Sequence, residues 1–206
     1  MTDIDGFETA TGLTVPAVTT EEMRAVDRVS IEEVGIELLQ MMENAGRTLA
    51  WHARDVAEGP VRVVAGNGGN GGGGLACARH LSNHGVPVEV VLDRPPEELT
   101  GVAATQHAIL DGMGIATRVG ADAVDADGTS VLVDALIGYG LDGAARGPAR
   151  EVIVAMNRRD APVLSLDVPS GIDATSGETS GEAVVPDRTL TLALPKTGLA
   201  GRDETL

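Results

Sequence analysis

Aromatic residues are almost missing from this chain of 206 residues: Phe7, Trp51 and Tyr139 are the whole set. A core must therefore be assembled from Ala, Val, Leu and Ile, which suits layered strands and helices. Stacking of nucleobases on aromatic side chains is close to excluded. Cys77 is the single cysteine, so neither a disulfide framework nor a cysteine-based metal centre can be built. No apolar run approaches the ~18 residues of a membrane-spanning helix. The N-terminal stretch "MTDIDGFETATG" lacks the basic and apolar regions of a signal peptide. A soluble, cytoplasmic chain is expected.

Positive charge is also scarce. Lys196 is the lone lysine, and the formal net charge is −16. Such a chain repels phosphate backbones, so neither nucleic acid nor an anionic membrane is an expected partner. Abundant Asp and Glu with almost no lysine suits a halophilic protein. At ~1 M ionic strength screening falls to roughly 3 Å and the self-repulsion costs little.

What is present is ordered by rhythm. Residues 1–18 are polar and aperiodic, and read as a loose N-terminal arm before a single domain over 19–206. Thr19 and Glu22 form a capping-box pattern that starts a helix. Leu38, Met42, Ala45, Leu49 and Ala53 share one face of a second helix. Beyond Pro60 the chain alternates apolar runs (61–66, 87–93, 130–138, 161–171, 188–194) with helix-sized segments (75–85, 96–114, 149–159). That alternation predicts βαβ units and a doubly wound, Rossmann-like α/β fold. Its mostly parallel sheet carries helices on both faces and an N-terminal helical pair.

Ligands of such sheets bind beyond the carboxyl ends of the strands. The polar sequences there are "GNGGNGGGG" (66–74), Asp93, "DALIGYGLDG" (134–143) and "DVPSGID" (167–173). Gly66, Gly68 and Gly71 satisfy a GxGxxG pattern between strand and helix. It reads either as a phosphate cradle or as a tight packing turn. Asp93 follows Gly71 by about 20 residues, where a ribose-binding acid would stand. Asp134 and Asp167 end strands, as site carboxylates or as turn formers. His80 and His84 lie four apart without an evident third ligand, Cys77 reads as core, and Lys196 as a phosphate contact or a structural residue.

The strings "LLQMMENAGRTLA", "GNGGNGGGGLACARHL", "VDALIGYGLDGAARGP", "LSLDVPSGIDATSG" and "LTLALPKTGL" occur in this order. Together they resemble the YjeF N-terminal domain family, the NAD(P)H-hydrate epimerases, over about residues 19–200. The resemblance implies an isomerase that interconverts R and S forms of hydrated NADH and NADPH. It also implies a homodimer, and a separate dehydratase acting on the product. Ligand contacts implied by the resemblance fall on Gly69, Asn70, Gly71, Gly72 and Gly73, on Gly138, Tyr139, Gly140, Leu141, Asp142, Gly143 and Ala144, and on Asp167. A potassium ion is implied at Asn70, Asp134 and Ser170. The family loop reads N-N-G-G-D, so Gly69 and Gly73 replace an amide and a carboxylate, and a weakened epimerase is the expected consequence. Asp167 is the expected proton carrier. A non-catalytic nucleotide-binding scaffold and an NAD(P)-dependent oxidoreductase are the alternative readings. The family also adds a further strand segment beyond the position of Leu206, so a shortened or diverged end is expected.

The charge pattern carries a test. The unfolding midpoint should rise by at least about 2–4 °C between dilute buffer and ~1 M KCl, the shift that about 1 kcal/mol produces in a domain of this size. A midpoint indifferent to salt in thermal scans would contradict the halophilic reading.

Overall fold

A computed structural model describes residues 6–125 and 128–206. The elements in chain order are β1 (Gly6–Glu8), β2 (Thr14–Pro16), α1 (Thr20–Glu32), α2 (Leu38–Val56), β3 (Val61–Ala65), α3 (Gly69–Asn83) and β4 (Val88–Leu92). They continue with α4 (Gly101–Gly112), β5 (Thr117–Val119), α5 (Ala121–Val124), β6 (Val131–Ala135), α6 (Gly147–Met156), β7 (Val163–Leu166) and β8 (Arg188–Leu190). Six strands form one sheet in the order β5-β4-β3-β6-β7-β8, and every pairing in it is parallel. Counted from β3, this is the 3-2-1-4-5-6 order of a doubly wound sheet. The winding reverses between β3 and β6. Among the described residues no helix is long and apolar enough to cross a membrane.

The strands are buried on both faces, so they read as continuous Val/Leu runs rather than as alternation. Successive residues still point to opposite sides. Val63 joins the core under α2, α3 and α4 with Leu49, Leu75 and Ala103. Val64 joins the core under α5 and α6 with Val124, Val152 and Met156.

Two expectations need correction, and one strand carries no signal in the sequence. The N-terminal arm is not loose throughout: β1 and β2 pair as an antiparallel hairpin, Gly6 opposite Pro16, while residues 1–5 lie outside the described residues. Val18 then pairs with the Lys196 segment, its N–H donating to Pro195 O at 2.9 Å. Turn chemistry (a Thr9–Gly12 bend) and this pairing organise a stretch with no hydrophobic period. The strand β5 has no apolar run to announce it, because this edge strand is three residues long and mostly exposed. Second, α3 does not begin at Leu75. It begins inside the glycine run, at Gly69.

That last difference has a packing cause. A Cβ at Gly74 would sit 2.4 Å from Ala135 Cβ on the sheet, and one at Gly71 would sit 1.8 Å from Gly66 O. A Cβ at Gly46 of α2 would lie 2.7 Å from Gly73 O and 2.5 Å from Ala76 Cβ. Helix α3 therefore lies against the sheet and against α2 at backbone contact. Tertiary packing outweighs the ~1 kcal/mol helix penalty of each glycine. Gly74→Ala should destabilise by about 1–3 kcal/mol through overpacking. Gly69→Ala, which meets nothing closer than 3.9 Å, should be neutral or stabilising by up to ~1 kcal/mol. Urea denaturation of the two variants checks the contrast, and equal effects would contradict the packing account.

Candidate functional site

The end of β3 and the end of β6 meet at backbone level. Gly66 N–H donates to Ala135 O at 3.2 Å, and a Cβ at Gly66 would lie 2.1 Å from Leu136 O. Gly66 and Gly71 are thus glycines of close approach. Gly68 differs: a Cβ there would meet nothing within 4 Å, and its backbone faces a cleft. This division of labour is the one a dinucleotide-binding GxGxxG turn uses, with the middle glycine left open to a ligand.

The cleft has a volume of about 850 Å³ and opens over the reversal point of the sheet. Gly68, Gly69 and Asn70 at the start of α3 form one wall, and Gly138, Tyr139 and Gly140 after β6 form the next. Asp167 after β7 and Lys196 complete that side. The opposite wall comes from α1 and α2, through Arg24, Asp27, Met41, Met42, Asn44 and Thr48.

Asp167 holds its backbone at φ +70°. It and Ala193 (φ +55°) are the two non-glycine residues with left-handed backbone among the described residues, and both line the cleft. Such conformations cost of order 1–3 kcal/mol and concentrate at functional sites. The Asp167 carboxylate is nearly buried, at 4% exposure. Its Oδ2 accepts the Tyr139 N–H at 3.1 Å, and its Oδ1 forms a short ion pair with Lys196 Nζ. Lys196 Nζ also donates to Leu192 O at 2.8 Å and stands 5.7 Å from the centre of the Tyr139 ring. The Tyr139 hydroxyl donates to Asp27 Oδ2 at 2.5 Å, tying α1 to the loop after β6. Burial first, then this bond to Asp27, pushes the phenol above its ordinary range.

Asp134 and Ser170 come together just behind the cleft wall. Asp134 is wholly buried, and its four donors are the Ser170 hydroxyl (2.6 Å), the Ser170 N–H (2.9 Å), the Ser165 hydroxyl (2.8 Å) and the Leu136 N–H (3.2 Å). Desolvation raises its carboxyl above the usual range, and those four bonds oppose the rise. The Ser170 oxygen in turn accepts the Ile137 N–H at 2.8 Å, so the pair braces the loop that faces the cleft. Every one of these donors is neutral. Asn70 carries a second irregularity: its side-chain Nδ2 is buried without a hydrogen-bond partner. Turning the amide over presents oxygen at that position instead. A buried carboxylate, a hydroxyl and an amide oxygen are the donor types a monovalent cation accepts.

Not every expected residue reaches the cleft. Gly71, Gly72 and Gly73 are buried within α3, and Leu141, Asp142, Gly143 and Ala144 lie on the loop before α6, outside the lining. Asp93, the expected ribose-binding acid, is not among the residues that line the cleft. Both its oxygens accept from Arg94, at 3.0 and 2.8 Å, and it is Arg94 that lines the cleft. His80 is turned to Glu43 of α2, Nε2 to Oε1 at 2.7 Å, and His84 to the His80 carbonyl. Among the described residues no group of three His, Cys, Asp or Glu is placed to hold a metal ion. Cys77 is fully buried, and burial pushes its thiol up, away from reactivity.

Sequence reasoning missed Arg24, Asp27, Met41, Asn44, Thr48 and Ala193. Leu38 shares the apolar face of α2 with Met42, yet it is 40% exposed and lines the cleft. Asn44 and Thr48 lie on the exposed side of α2, where no sequence signal marks them.

Fold and site together define a doubly wound α/β protein with a dinucleotide-type glycine turn and one cleft at its reversal point. Residues 38–198 match the family described as YjeF-related protein N-terminus, and the chain belongs to that family. It is 45% identical over 204 residues to an NAD(P)H-hydrate epimerase of Dehalogenimonas lykanthroporepellens, covering 95% of this chain and 81% of the relative. An NAD(P)H-hydrate epimerase of Rhodopirellula baltica is 37% identical over 190 residues, covering 90% of this chain and 78% of that one. The bifunctional NAD(P)H-hydrate repair enzyme Nnr of Salinibacter ruber is 40% identical over 209 residues, but the chain spans only 38% of its length. Among solved structures, yeast ynu0 superposes with a TM-score of 0.82 at 25% identity, covering 93% of this chain and 86% of that one.

Proposed function

We propose that this chain is an isomerase that interconverts the R and S epimers of hydrated NADH and NADPH, a metabolite-repair reaction that feeds a separate dehydratase. The observation that carries the reading is the near full-length match to named epimerases. The strained Asp167 in the cleft wall supports it. The reacting carbon of such a hydrate bears a hydroxyl beside a ring nitrogen. Loss of that hydroxyl as water leaves a planar cation, and return of water to the other face inverts the centre. The protein must then supply a proton exchange and a negative field near the ring. The Asp167 carboxylate supplies the field. The backbone N–H groups that open α3, beside Gly68, suit the pyrophosphate.

A potassium ion held by Asn70, Asp134 and Ser170 belongs to the same proposal. The fit rests on a wholly buried carboxylate whose donors are all neutral, and on the orphaned amide of Asn70. Bound there, the ion would offset that buried charge. Pairing as a homodimer is supported by exposed Val34, Ile36 and Leu39 at the junction of α1 and α2. Weakened turnover remains part of the proposal: Gly69 leaves the cleft rim without an amide, and Gly73 lies buried against Leu166, where a Cβ would be 2.9 Å from Cδ2.

The test is to follow R-to-S conversion of NADPH hydrate by chromatography, in KCl and in tetramethylammonium chloride at equal ionic strength. Conversion above the protein-free rate is expected, with loss of rate on removing potassium and little response to potassium in Asp134→Asn. No conversion in KCl would refute the epimerase. In a parallel assay with NADPH and an added carbonyl acceptor, oxidation of NADPH would favour an oxidoreductase.

A further inference from the structure

We infer that Lys196, rather than Asp167, is the acid that hands the proton to the departing hydroxyl. The inference rests on the epimerase reading and deepens it. It follows from counting donors among the titratable groups of the cleft. Arg24 and Arg94 cannot release a proton in a protein. The Tyr139 proton is committed to Asp27 Oδ2 at 2.5 Å, and Asp27 is the acceptor in that bond rather than a donor to the cleft. Asp167 accepts at both oxygens, from Tyr139 N–H and from Lys196. Lys196 remains.

An ammonium group has three N–H donors. Two are accounted for, on Asp167 Oδ1 and on Leu192 O. The third has no acceptor among the described residues. Lys196 is nonetheless 1% exposed and lines the cleft. A buried donor left unpaired is destabilising, and more so when it is charged. A ligand hydroxyl in the cleft recovers that cost. The lysine is also held in place from behind, because the neighbouring Thr197 N–H donates to Val18 O at 2.9 Å.

The step balances without a further reagent. A proton passes from Nζ to the hydroxyl oxygen, the C–O bond breaks with its electron pair leaving on water, and the nitrogen lone pair forms the C=N bond. Lys196 is then neutral, and the ring cation faces the Asp167 carboxylate. Water adds to the opposite face, the C=N electrons return to nitrogen, and the surplus proton returns to Nζ through water in the cleft. Lys196 is thus a catalytic residue, and Asp167 remains an anion throughout.

Lys196→Arg keeps a cation beside Asp167 but cannot give up its proton. It should lower kcat by roughly 10²–10⁴-fold, with a much smaller loss of NADPH affinity, read by fluorescence titration. Lys196→Ala should be equally slow and should regain rate with added methylamine, more so with more acidic primary amines. That rescue decides the matter if Lys196→Arg fails to fold by circular dichroism. Lys196→Arg turning over as fast as wild type, or Lys196→Ala indifferent to every amine, would overturn the inference while leaving the epimerase standing. A wild-type protein without epimerisation would remove the epimerase reading itself, and the inference with it.

Discussion

The close approach of helix α3 to the sheet is the constraint on which the rest of the molecule depends. Gly71 and Gly74 meet Gly66 and Ala135 at distances that leave no room for a methyl group. Gly46 of α2 meets the α3 backbone in the same way. Three layers are thereby compressed at one end of the sheet, the end where β3 and β6 part. The N-terminus of α3 arrives at the reversal point with its first N–H groups facing a cleft. A longer side chain at these positions would lift the helix and move that terminus away from the loops after β6 and β7.

The second organising interaction is electrostatic. Two carboxylates lie at the ends of adjacent strands, and the structure treats them differently. Asp134 is wholly buried among neutral donors and braces the loop at Ile137 through Ser170. Asp167 stands in the cleft wall, with strained backbone and a lysine as its partner. Buried ion pairs contribute little net stability, because desolvation offsets their attraction. The placement of Lys196 and Asp167 therefore makes more sense as preorganised charge for a reaction than as a stabilising device. In a chain with a net charge of −16, the one lysine is spent here.

Much of this was legible in the sequence, for physical reasons that differ by element. The strands β3, β6 and β7 announce themselves because burial on both faces demands continuous apolar runs. The capping box at Thr19 is local chemistry and is realised at α1, the Glu22 carboxylate accepting the Thr19 N–H at 2.8 Å. The start of α3 was not legible, because propensity argues against a helix at Gly69–Gly74 and only tertiary packing reverses it. The hairpin of β1 and β2 and the short β5 carry no period. At the site, Asp167, Asn70 and Tyr139 were found through strand ends and motif resemblance. Arg24, Asp27 and Thr48 were not, since a polar residue on an exposed helix face looks like any other until the cleft closes over it. The spacing located Asp93 just after β4, but its pairing with the neighbouring Arg94 guanidinium, which itself lines the cleft, is not readable from spacing.

For Lys196 and Asp167 to act on the reacting carbon, the nicotinamide end of the nucleotide must lie beside them. A crystal structure with NADPH soaked or grown into the cleft measures this directly. The account predicts the dihydronicotinamide ring beside Asp167, a polar atom of the ring or its amide within about 3.2 Å of Lys196 Nζ, and the pyrophosphate at the start of α3. Adenine beside Asp167, or a nucleotide bound away from the cleft, would contradict it.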